Sequence, residues 1–334
     1  MGAVVETILV AGGAGYIGSH MVYCLIDKGF DVVVADNLST GFRAAIHPKA
    51  RFYYGDTRDK VFLRTLFSRE KIDASIHMDA YSIVPESVEN PLKYFDNDVV
   101  GVISLLEVMK EYDVKRIVFS TTAAVYGIPE FEPILEESLK VPISPYGDSK
   151  LMMEHIMHWV DQPDGIRYVA LRYFNAAGAH PNGLIGEAHR NETHLIPNIL
   201  KVANDDNLKF HMYGDDYQTP DGTNIRDYVH IIDLAEAHIL ALAYMKDGKP
   251  STAFNLGSSQ GYLVKEILET AREVTNRTIP TIIAARRTGD PDVLVADRIK
   301  AREILGWKPQ YNDIKEIIQT AWQWQQNNPR GYQK

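Results

Sequence analysis

The feature that most constrains the fold is a glycine-rich turn near the start of the chain. An apolar run, TILVAG at 7–12, leads directly into GGAGYIGSH, where Gly12, Gly15 and Gly18 recur at every third position. A strand, a glycine turn and a helix open the βαβ unit that binds dinucleotides, because glycines let the backbone approach a pyrophosphate at a helix N-terminus. The motif predicts a dinucleotide site; a packing turn without a ligand is the alternative.

Apolar runs and helical patterns alternate through the first half of the chain. After TILVAG, strands are predicted at DVVVAD, ARFYYGD, DASIH, RIVFST and RYVALRYF, and helices at SHMVYCLIDKG, PLKYFDNDVVGVISLLEVMKEYDV and PYGDSKLMMEHIMHWV. Continuously apolar strands separated by helices indicate a parallel sheet covered on both faces. The predicted fold class is α/β, a doubly wound Rossmann-type parallel sheet with a smaller C-terminal substrate-binding domain.

The character of the sequence changes after Gly178. The segment GAHPNGLIGEAHRNETH is rich in Gly, Pro and polar residues, which is typical of a loop. We expect residues 1–178 to form the dinucleotide-binding Rossmann domain and residues 179–334 to form the substrate-binding domain. Segments near 224–257 could return to the first domain, and the sequence leaves that boundary open.

Charge and composition exclude several classes of function. The chain has 334 residues, a formal net charge of -9 and no long basic run, so no nucleic-acid partner is expected. It has no apolar run of about 18 residues and no basic region before its first apolar stretch, so neither a membrane span nor a signal peptide is predicted. Cys24 is the single cysteine, which fits a reducing compartment. We therefore expect a cytoplasmic protein.

Histidines are numerous but do not form a recognisable metal motif. Of the 11 histidines, His189 and His194 lie near each other in sequence, yet no H-E-x-x-H pattern or Cys/His cluster occurs. The sequence therefore predicts no metal site.

Polar residues at two strand ends are candidates for cofactor contacts. Asp36 ends the second strand, near the offset of about 20 residues at which a carboxylate binds the adenosine ribose hydroxyls. A carboxylate there repels a 2′-phosphate, so NAD is favoured over NADP. Asn37 offers a second polar contact, and Asp56 ends the third strand, where it could meet the adenine amino group. Ordinary turn residues are the alternative for both acids.

A tyrosine and a lysine one helical turn apart form the candidate catalytic pair. In SPYGDSK at 144–150, Tyr146 and Lys150 share one face of a helix. The preceding strand ends in FSTTAAVYG and brings Thr122 to the carboxyl edge of the sheet, where such folds bind ligands. A nearby ammonium and a positively charged nicotinamide both favour the tyrosinate, so Tyr146 is expected to act as a base near neutral pH. Chance spacing is the alternative.

Motifs spread along nearly the whole chain resemble those of one enzyme family. They are GGAGYIGSH, DNLSTG, GDTRD, PESVENPLKYF, FSTTAAVYG, SPYGDSK, LRYFNAAGAHPNG, DGTNIRDYVH, FNLGSSQG and RRTGDP. The chain resembles the extended short-chain dehydrogenase/reductases and, within them, the UDP-glucose 4-epimerases. The resemblance implies that Tyr146 takes the proton from the sugar 4-hydroxyl while hydride leaves carbon 4 for NAD, that Thr122 shares a hydrogen bond with that oxygen, and that Lys150 holds the nicotinamide ribose and lowers the pKa of Tyr146.

The resemblance also implies which residues contact the two ligands. The expected cofactor-binding residues are Gly12, Gly15, Tyr16, Ile17, Gly18, Asp36, Asn37, Asp56, Thr57, Ala80, Ser82, Tyr146, Lys150 and Tyr173. The expected residues for the UDP-hexose substrate are Thr122, Phe174, Asn175, His194, Leu195, Tyr213, Arg226, Arg287, Asp290 and Leu294.

Some of these substrate residues have a specific implied role. Arg226 and Arg287 match arginines that bind the diphosphate, for which a planar guanidinium is well suited. Leu195 and Tyr213 match the residues on either side of the uracil. Leu294 matches the position that limits the sugar 2-substituent. Relatives with a large tyrosine there tend to reject N-acetylated sugars. Because leucine is smaller, the N-acetylhexosamine pair is a further candidate substrate.

A homodimer is expected by the same resemblance. In this family two long helices, here about 92–111 and 146–162, pair across a dimer. The apolar residues Val99, Ile103, Leu106 and Met153 on these helices are predicted to allow the same contact.

Two carboxylates depart from the family pattern. Asp79, in HMDAYS, stands where relatives have a small apolar residue facing the dinucleotide, and Asp98, in DNDVV, stands where they have asparagine. A carboxylate opposes a pyrophosphate unless it is neutralised, protonated or turned away. The alternative function is therefore an NAD- or UDP-sugar-binding protein with weak or no turnover.

Other reactions on the same fold lack their residues here. Nucleotide-sugar dehydratases carry an Asp-Glu pair just before VYG, whereas this chain has Ala123 and Ala124. A 4-reductase would use NADPH, which Asp36 disfavours.

Overall fold

The computed structural model describes residues 5–287 and 290–332. Its strands, in chain order, are β1 (Thr7–Ala11), β2 (Asp31–Asp36), β3 (Arg51–Tyr54), β4 (Ala74–His77), β5 (Arg116–Thr122), β6 (Arg167–Tyr173), β7 (Asn175–Ala177), β8 (Phe210–Tyr213), β9 (Ile225–His230), β10 (Thr252–Leu256), β11 (Gly261–Leu263), β12 (Thr281–Ala284) and β13 (Val293–Leu294).

The helices alternate with these strands. They are α1 (Tyr16–Asp27), α2 (Lys60–Arg69), α3 (Val84–Glu89), α4 (Pro91–Tyr94), α5 (Gly101–Glu111), α6 (Pro145–Asp164), α7 (Leu195–Asn204), α8 (Ile231–Lys246), α9 (Val264–Thr275) and α10 (Ile314–Asn327). Short 3₁₀ turns occupy Arg43–Ala45 and Ala123–Tyr126, and π-helical turns occupy Phe95–Val100 and Ala301–Leu305.

The predicted α/β fold class is confirmed by a seven-stranded sheet. Its strand order is β10-β6-β5-β4-β1-β2-β3, and every neighbouring pair is parallel. The chain progresses from β1 through β2 to β3 on one side and then crosses to β4 on the other. This reversal opens a crevice at the carboxyl ends of β1 and β4, where ligands bind in such sheets.

The strands are apolar throughout because both faces of the sheet are covered. Ile8 and Val10 of β1 pack in one core cluster together with α1 and α8, whereas Leu9 packs in a second cluster with α2, α5 and α6. Since successive side chains of a strand point to opposite faces, both halves of the pattern must be apolar.

The predicted long helix over 91–114 is partly wrong. The path from α4 to α5 stays helical, but residues 95–100 form a π turn, and α5 ends at Glu111. This wide turn buries Asn97 and Asp98. Wide turns of this kind often occur at functional sites.

Two of the four residues predicted for a dimer contact are unsuited to it. Leu106 and Met153 are buried, 4% and 0% exposed, in the core cluster beneath the sheet. Ile103 remains exposed and Val99 is half-buried. Both helices carry other exposed apolar side chains, and on α6 these are Met152 and Trp159.

The remaining elements form a smaller assembly. β9 pairs with β7, β11 and β13, and β8 pairs with β12. These small sheets share a separate core cluster with α7, α9 and α10. Within segment 224–257, α8 and β10 lie with the large sheet and β9 with the small one. The domain division near residue 178 stays a prediction.

Across the described ranges, none of the helices is both long and apolar enough to cross a membrane. The cytoplasmic location stays a prediction.

Candidate active site

The glycine turn is packed so closely at Gly12 and Gly18 that a side chain would not fit at either position. Gly12 has φ of +78°, and a Cβ there would lie 2.7 Å from the backbone nitrogen of Asp79. A Cβ on Gly18 would lie 2.1 Å from the carbonyl oxygen of Gly12. Gly15 precedes the first turn of α1, whose free N–H groups favour an anion. The glycine turn and the start of α1 therefore fit a dinucleotide pyrophosphate.

Asp36 connects the end of β2 to the glycine turn. Its Oδ2 accepts a hydrogen bond from the backbone N–H of Ala14 at 2.9 Å, and its Oδ1 accepts one from that of Leu38 at 2.7 Å. Burial raises the pKa of Asp36, and these two hydrogen bonds oppose the change. A carboxylate has about four acceptor positions, so the side chain can still accept from ribose hydroxyls.

Asp56 and Asn37 meet at the neighbouring strand ends. Asn37 Nδ2 donates to Asp56 Oδ2 at 3.2 Å. The Arg58 guanidinium bonds both oxygens of Asp56, at 2.9 and 2.6 Å, and lowers its pKa to about 2. The structure thus brings together two of the predicted adenine-side residues and adds Arg58, which sequence reasoning missed.

Asp79 follows β4 and lies directly beneath the glycine turn. Its Oδ2 accepts a hydrogen bond from the buried Thr57 hydroxyl at 2.5 Å. Burial, together with the charges of Asp36, Asp56 and Asp98, raises the pKa of Asp79 to about 6 despite that bond. The side chain therefore changes charge close to neutral pH.

Asp98 is turned toward α6 and its lysine. It accepts hydrogen bonds from the Tyr81 backbone N–H at 3.1 Å, from Asn97 Nδ2 at 3.1 Å and from the Ser149 hydroxyl at 2.9 Å. Burial raises the pKa of Asp98, and the Lys150 ammonium opposes that rise. The charged carboxylate of Asp98 is therefore supplied with hydrogen-bond donors and a counter-charge by the protein itself.

Lys150 is buried, at 2% exposure, and donates to the Ser120 carbonyl oxygen at 3.0 Å. Burial lowers the pKa of Lys150, whereas the charges of Asp98 and Asp79 raise it. The two carboxylates that depart from the family pattern therefore both stabilise the charged lysine.

Tyr146 and Thr122 interact at the carboxyl edge of β5. Burial raises the pKa of Tyr146 to about 12; hydrogen bonding with Thr122 lowers it and the charge of Asp98 raises it. Burial, Thr122 and Asp98 set this pKa in the protein alone, and the expected lowering by Lys150 is not found. Thr122 Oγ1 accepts from the Ala124 N–H at 3.1 Å, so its own hydrogen can be donated either to the Tyr146 oxygen or to a substrate oxygen.

His77, at the end of β4, is a crevice residue that sequence reasoning missed. It is fully buried, and neither ring nitrogen has a hydrogen-bond partner among the residues that the structure describes. Burial and the Lys150 charge lower the pKa of His77 to about 3, so the ring is neutral. The only signal in the sequence was its place at a strand end beside the crevice.

Other predicted cofactor residues take different positions. The Tyr173 hydroxyl is bonded to His238, and the side chain is buried in the core. Tyr16 donates to the Gly178 carbonyl oxygen at 2.6 Å and joins α1 to the chain beyond β7. Ile17 and Ala80 are half-buried, and Ser82 is exposed.

Arg226 and Asp290 form an ion pair in the substrate half. Arg226, on β9, also donates to the Pro291 carbonyl oxygen at 2.8 Å. Asp290 accepts further hydrogen bonds from Asn224 Nδ2 at 2.9 Å and from the Tyr217 hydroxyl at 3.1 Å. A diphosphate bound by Arg226 would therefore share the guanidinium group with the Asp290 carboxylate.

Aromatic and apolar residues complete this half of the site. The Arg287 guanidinium lies 4.2 Å from the centre of the Tyr213 ring and covers that face. Phe174 and Leu294 pack on the small core cluster of Val125, Tyr126, Ile134 and Leu151. Asn175 Nδ2 donates to the Asp227 carbonyl oxygen at 2.7 Å.

His194 and Leu195 mark the start of α7. The Nδ1 of His194 lies 2.9 Å from Glu187 and 3.0 Å from Glu192. Burial lowers the pKa of His194, but the two carboxylates outweigh it and raise the pKa to about 10. His189 joins the same cluster, in which four metal-ligating side chains have donor atoms within 4.8 Å of one another. The sequence prediction of no metal site did not anticipate this convergence.

Comparison with known proteins agrees with this geometry. A family model described as the NAD dependent epimerase/dehydratase family matches residues 8–257. The UDP-glucose 4-epimerase of Lacticaseibacillus casei is 58% identical over 98% of this chain and 98% of its own length. A crystal structure of a UDP-glucose 4-epimerase has a TM-score of 0.96 and 52% identity, covering 98% of this chain and 100% of its own.

A third protein carries ligands in its structure. The UDP-glucose 4-epimerase from Bifidobacterium longum, solved in complex with NAD+ and UDP, has a TM-score of 0.93 and 38% identity, covering 98% of this chain and 100% of its own. The chain therefore belongs to the NAD dependent epimerase/dehydratase family and, within it, to the UDP-glucose 4-epimerases.

Proposed function

We propose that this chain interconverts UDP-galactose and UDP-glucose through transient oxidation at sugar carbon 4, with Tyr146 as the base. The observation that carries the proposal is the hydroxyl pair of Tyr146 and Thr122 at the carboxyl end of β5, the sheet edge at which the glycine turn after β1 also lies. Thr122 keeps a hydroxyl hydrogen for the reacting oxygen, and Tyr146 exchanges the proton.

NAD is the cofactor of this family, and the residues present fit it. The glycine turn would hold the pyrophosphate, Asp36 the adenosine ribose and Lys150 the nicotinamide ribose. When bound, NAD supplies the oxidant for sugar carbon 4 and, in its reduced form, the reductant. The Asp36 carboxylate disfavours a 2′-phosphate at the same ribose.

Proton transfer depends on the charge next to Tyr146. With a pKa of about 12, the hydroxyl keeps its proton in the protein alone. A positively charged nicotinamide ring bound beside it would stabilise the tyrosinate. Tyr146 can then accept the proton of the sugar 4-hydroxyl and return it when the keto group is reduced.

The substrate half supports recognition of UDP. We assign Arg226 and Arg287 to the diphosphate, Tyr213 and Leu195 to the two faces of the uracil, and Asp290 to the uridine ribose. The Arg287 guanidinium covers one face of the Tyr213 ring. For uracil to stack on that face, the guanidinium has to move toward the phosphates. Phe174, Asn175 and His194 are the remaining proposed contacts.

The N-acetylhexosamine pair is a second proposed substrate class. Leu294 and Phe174 pack on the same small cluster, which supports a position for Leu294 beside the proposed sugar pocket. The Leu294→Tyr variant should lose turnover of UDP-N-acetylglucosamine and keep that of UDP-galactose. Equal loss of both activities, or no acetyl-sugar turnover by the unaltered protein, would contradict this assignment.

A homodimer through α5 and α6 is also proposed. The exposed apolar side chains of Ile103, Met152 and Trp159 on these helices support it. Light scattering on the eluting protein should give twice the chain mass, and Ile103→Asp should shift it to one chain.

The first experiment is proton NMR of UDP-galactose with purified protein and no added NAD. Appearance of the UDP-glucose anomeric signal, and its loss in Tyr146→Phe, would support both the reaction and retention of the cofactor. A flat spectrum that added NAD restores would point to cofactor loss caused by Asp79. A flat spectrum with NAD present would favour a binding protein without turnover.

A further inference from the structure

The segment between β7 and α7 gathers two histidines and two glutamates. Glu187, His189, Glu192 and His194 fall within eight consecutive residues, and one donor atom from each lies within 4.8 Å of all the others. None of them belongs to the catalytic group around Tyr146. Their sequence pattern, E-x-H-x-x-E-x-H, differs from H-E-x-x-H.

The distances within the cluster suit a tetrahedral cation. His189 Nδ1 lies 2.9 Å from Glu192 Oε2 and 3.6 Å from Glu187 Oε1, and His194 Nδ1 lies 2.9 Å from the same Glu187 oxygen. Zinc binds nitrogen and carboxylate oxygen at about 2.0–2.2 Å, so its ligands in a tetrahedron are about 3.4 Å apart. The spacing here brackets that value.

Glu187 supplies an independent sign of a missing partner. Its side chain is only 6% exposed. Its buried Oε1 makes no hydrogen bond of good geometry within the described ranges, although His194 Nδ1 lies 2.9 Å from it. A buried carboxylate oxygen without a donor is costly, and a cation would satisfy it.

The Glu192 carboxylate is oriented by backbone N–H groups of the two residues that follow it. Its Oε1 accepts the N–H groups of Thr193 at 2.9 Å and of His194 at 2.8 Å, which fixes the carboxylate and leaves Oε2 toward His189. Ligands whose second atoms are hydrogen-bonded are oriented in advance.

We propose that Glu187, His189, Glu192 and His194 form a structural site for one divalent transition-metal ion, with zinc as the best match. Two carboxylates balance the charge of the ion, and the two histidines bind in their neutral form through Nδ1. His194 would keep its Nε2–H, so its proposed contact with a UDP phosphate remains chemically compatible.

The metal site would stabilise the contact between segment 187–194 and the cofactor-binding half of the protein. Arg190, between the ligands, donates to the Ser39 carbonyl oxygen at 2.5 Å, in the turn that follows β2. The His189 ring also packs edge-on against Tyr16 at the start of α1, with ring centres 6.3 Å apart. Binding of the ion would therefore restrain the segment that covers the glycine turn.

The test uses the full-length chain without a histidine tag, dialysed against EDTA and then freed of chelator. Titration with zinc chloride should reach about one equivalent per chain and raise the melting temperature. Cobalt chloride should give the visible absorption bands of tetrahedral Co²⁺, a signature that bound surface ions lack. The Glu187→Gln and His189→Ala variants should bind zinc at least about tenfold more weakly.

The exposed His155→Ala on α6 is the matched control and should bind like the unaltered protein. Far-UV circular dichroism checks that each variant is folded, and epimerase activity is measured separately. Absence of stoichiometric zinc and of tetrahedral cobalt bands would overturn the proposal and identify the cluster as ion pairs of protonated histidines. Equal binding by Glu187→Gln and His189→Ala would overturn it as well.

Discussion

Replacing Asp79 with asparagine should strengthen the binding of NAD at alkaline pH. Asp79 lies under the glycine turn and has a pKa raised to about 6, chiefly by burial and then by its acidic neighbours. A pyrophosphate bound at the turn would raise this pKa further, because two anions would otherwise meet. Binding then takes up a proton, so affinity rises as the pH falls from 8 toward 6 and levels off below 6.

The size of the effect follows from the titration. At pH 8 a carboxyl group of pKa 6 is about 99% ionised, and at pH 5 it is about 90% protonated. If the cofactor tolerates only the protonated form, its affinity falls by about 100-fold between these pH values, or about 2.7 kcal/mol. Water in the crevice screens the repulsion, so this is an upper limit, and a decrease of about tenfold still fits.

The assay compares NAD affinity by calorimetry on nucleotide-free protein at pH 5.5, 7 and 8. It also follows the release of retained NAD during dialysis at each pH. In Asp79→Asn the Thr57 hydroxyl can still donate to the side-chain oxygen, and the pH dependence should disappear. Asp206→Asn, on an exposed turn after α7, serves as the control and should keep the pH dependence of the unaltered protein.

Two results would refute this reasoning. One is an equal pH dependence in Asp79→Asn and the unaltered protein. The other is weaker binding by Asp79→Asn at pH 8, which would mean that the carboxylate accepts a hydrogen bond from the cofactor.

Three further changes test other parts of the molecule. Tyr146→Phe should lower kcat by about 10²–10⁴-fold while NAD stays bound, as measured by NMR turnover and by nucleotide absorbance after denaturation. Arg226→Ala should raise KM for UDP-galactose more than it lowers kcat, since it removes a charged donor worth about 1.5–3 kcal/mol; a change confined to kcat would oppose the diphosphate assignment. Glu154→Gln should lower the free energy of unfolding in urea by about 3–5 kcal/mol, because it leaves the buried Arg172 guanidinium without its counter-ion. The exposed Glu111→Gln should change it by less than about 1 kcal/mol.

The sequence predicted the large sheet well because each of its strands is buried on both faces. β2 begins and ends as predicted at residues 31–36, and the glycine turn, the end of β2 and the end of β5 meet at one sheet edge. Such features depend on residues that are close in sequence and on the single topology that parallel strands allow. The roles of the individual site residues stay predictions until variants are measured.

The parts that sequence reasoning missed depend on contacts between distant residues. The ion pair of Arg226 and Asp290 joins residues 64 positions apart. Two residues proposed for a dimer contact, Leu106 and Met153, are buried, because helical spacing alone does not say which face meets the sheet. The π turn at 95–100 carries no signal of its own, since its residues suit an α-helix as well.

Asp79 and Asp98 look equivalent in the sequence, but their surroundings match their charges to different degrees. Asp98 accepts three hydrogen bonds and is opposed by the Lys150 ammonium, so its charge is matched inside the protein. Asp79 has one donor, Thr57, and neighbours that are mostly acidic. Removing either charge would leave Lys150 less stabilised, but removing that of Asp79 would also relieve repulsion at the pyrophosphate. A carboxylate near an anion site is therefore most harmful where the donors and cations of the protein match its charge least.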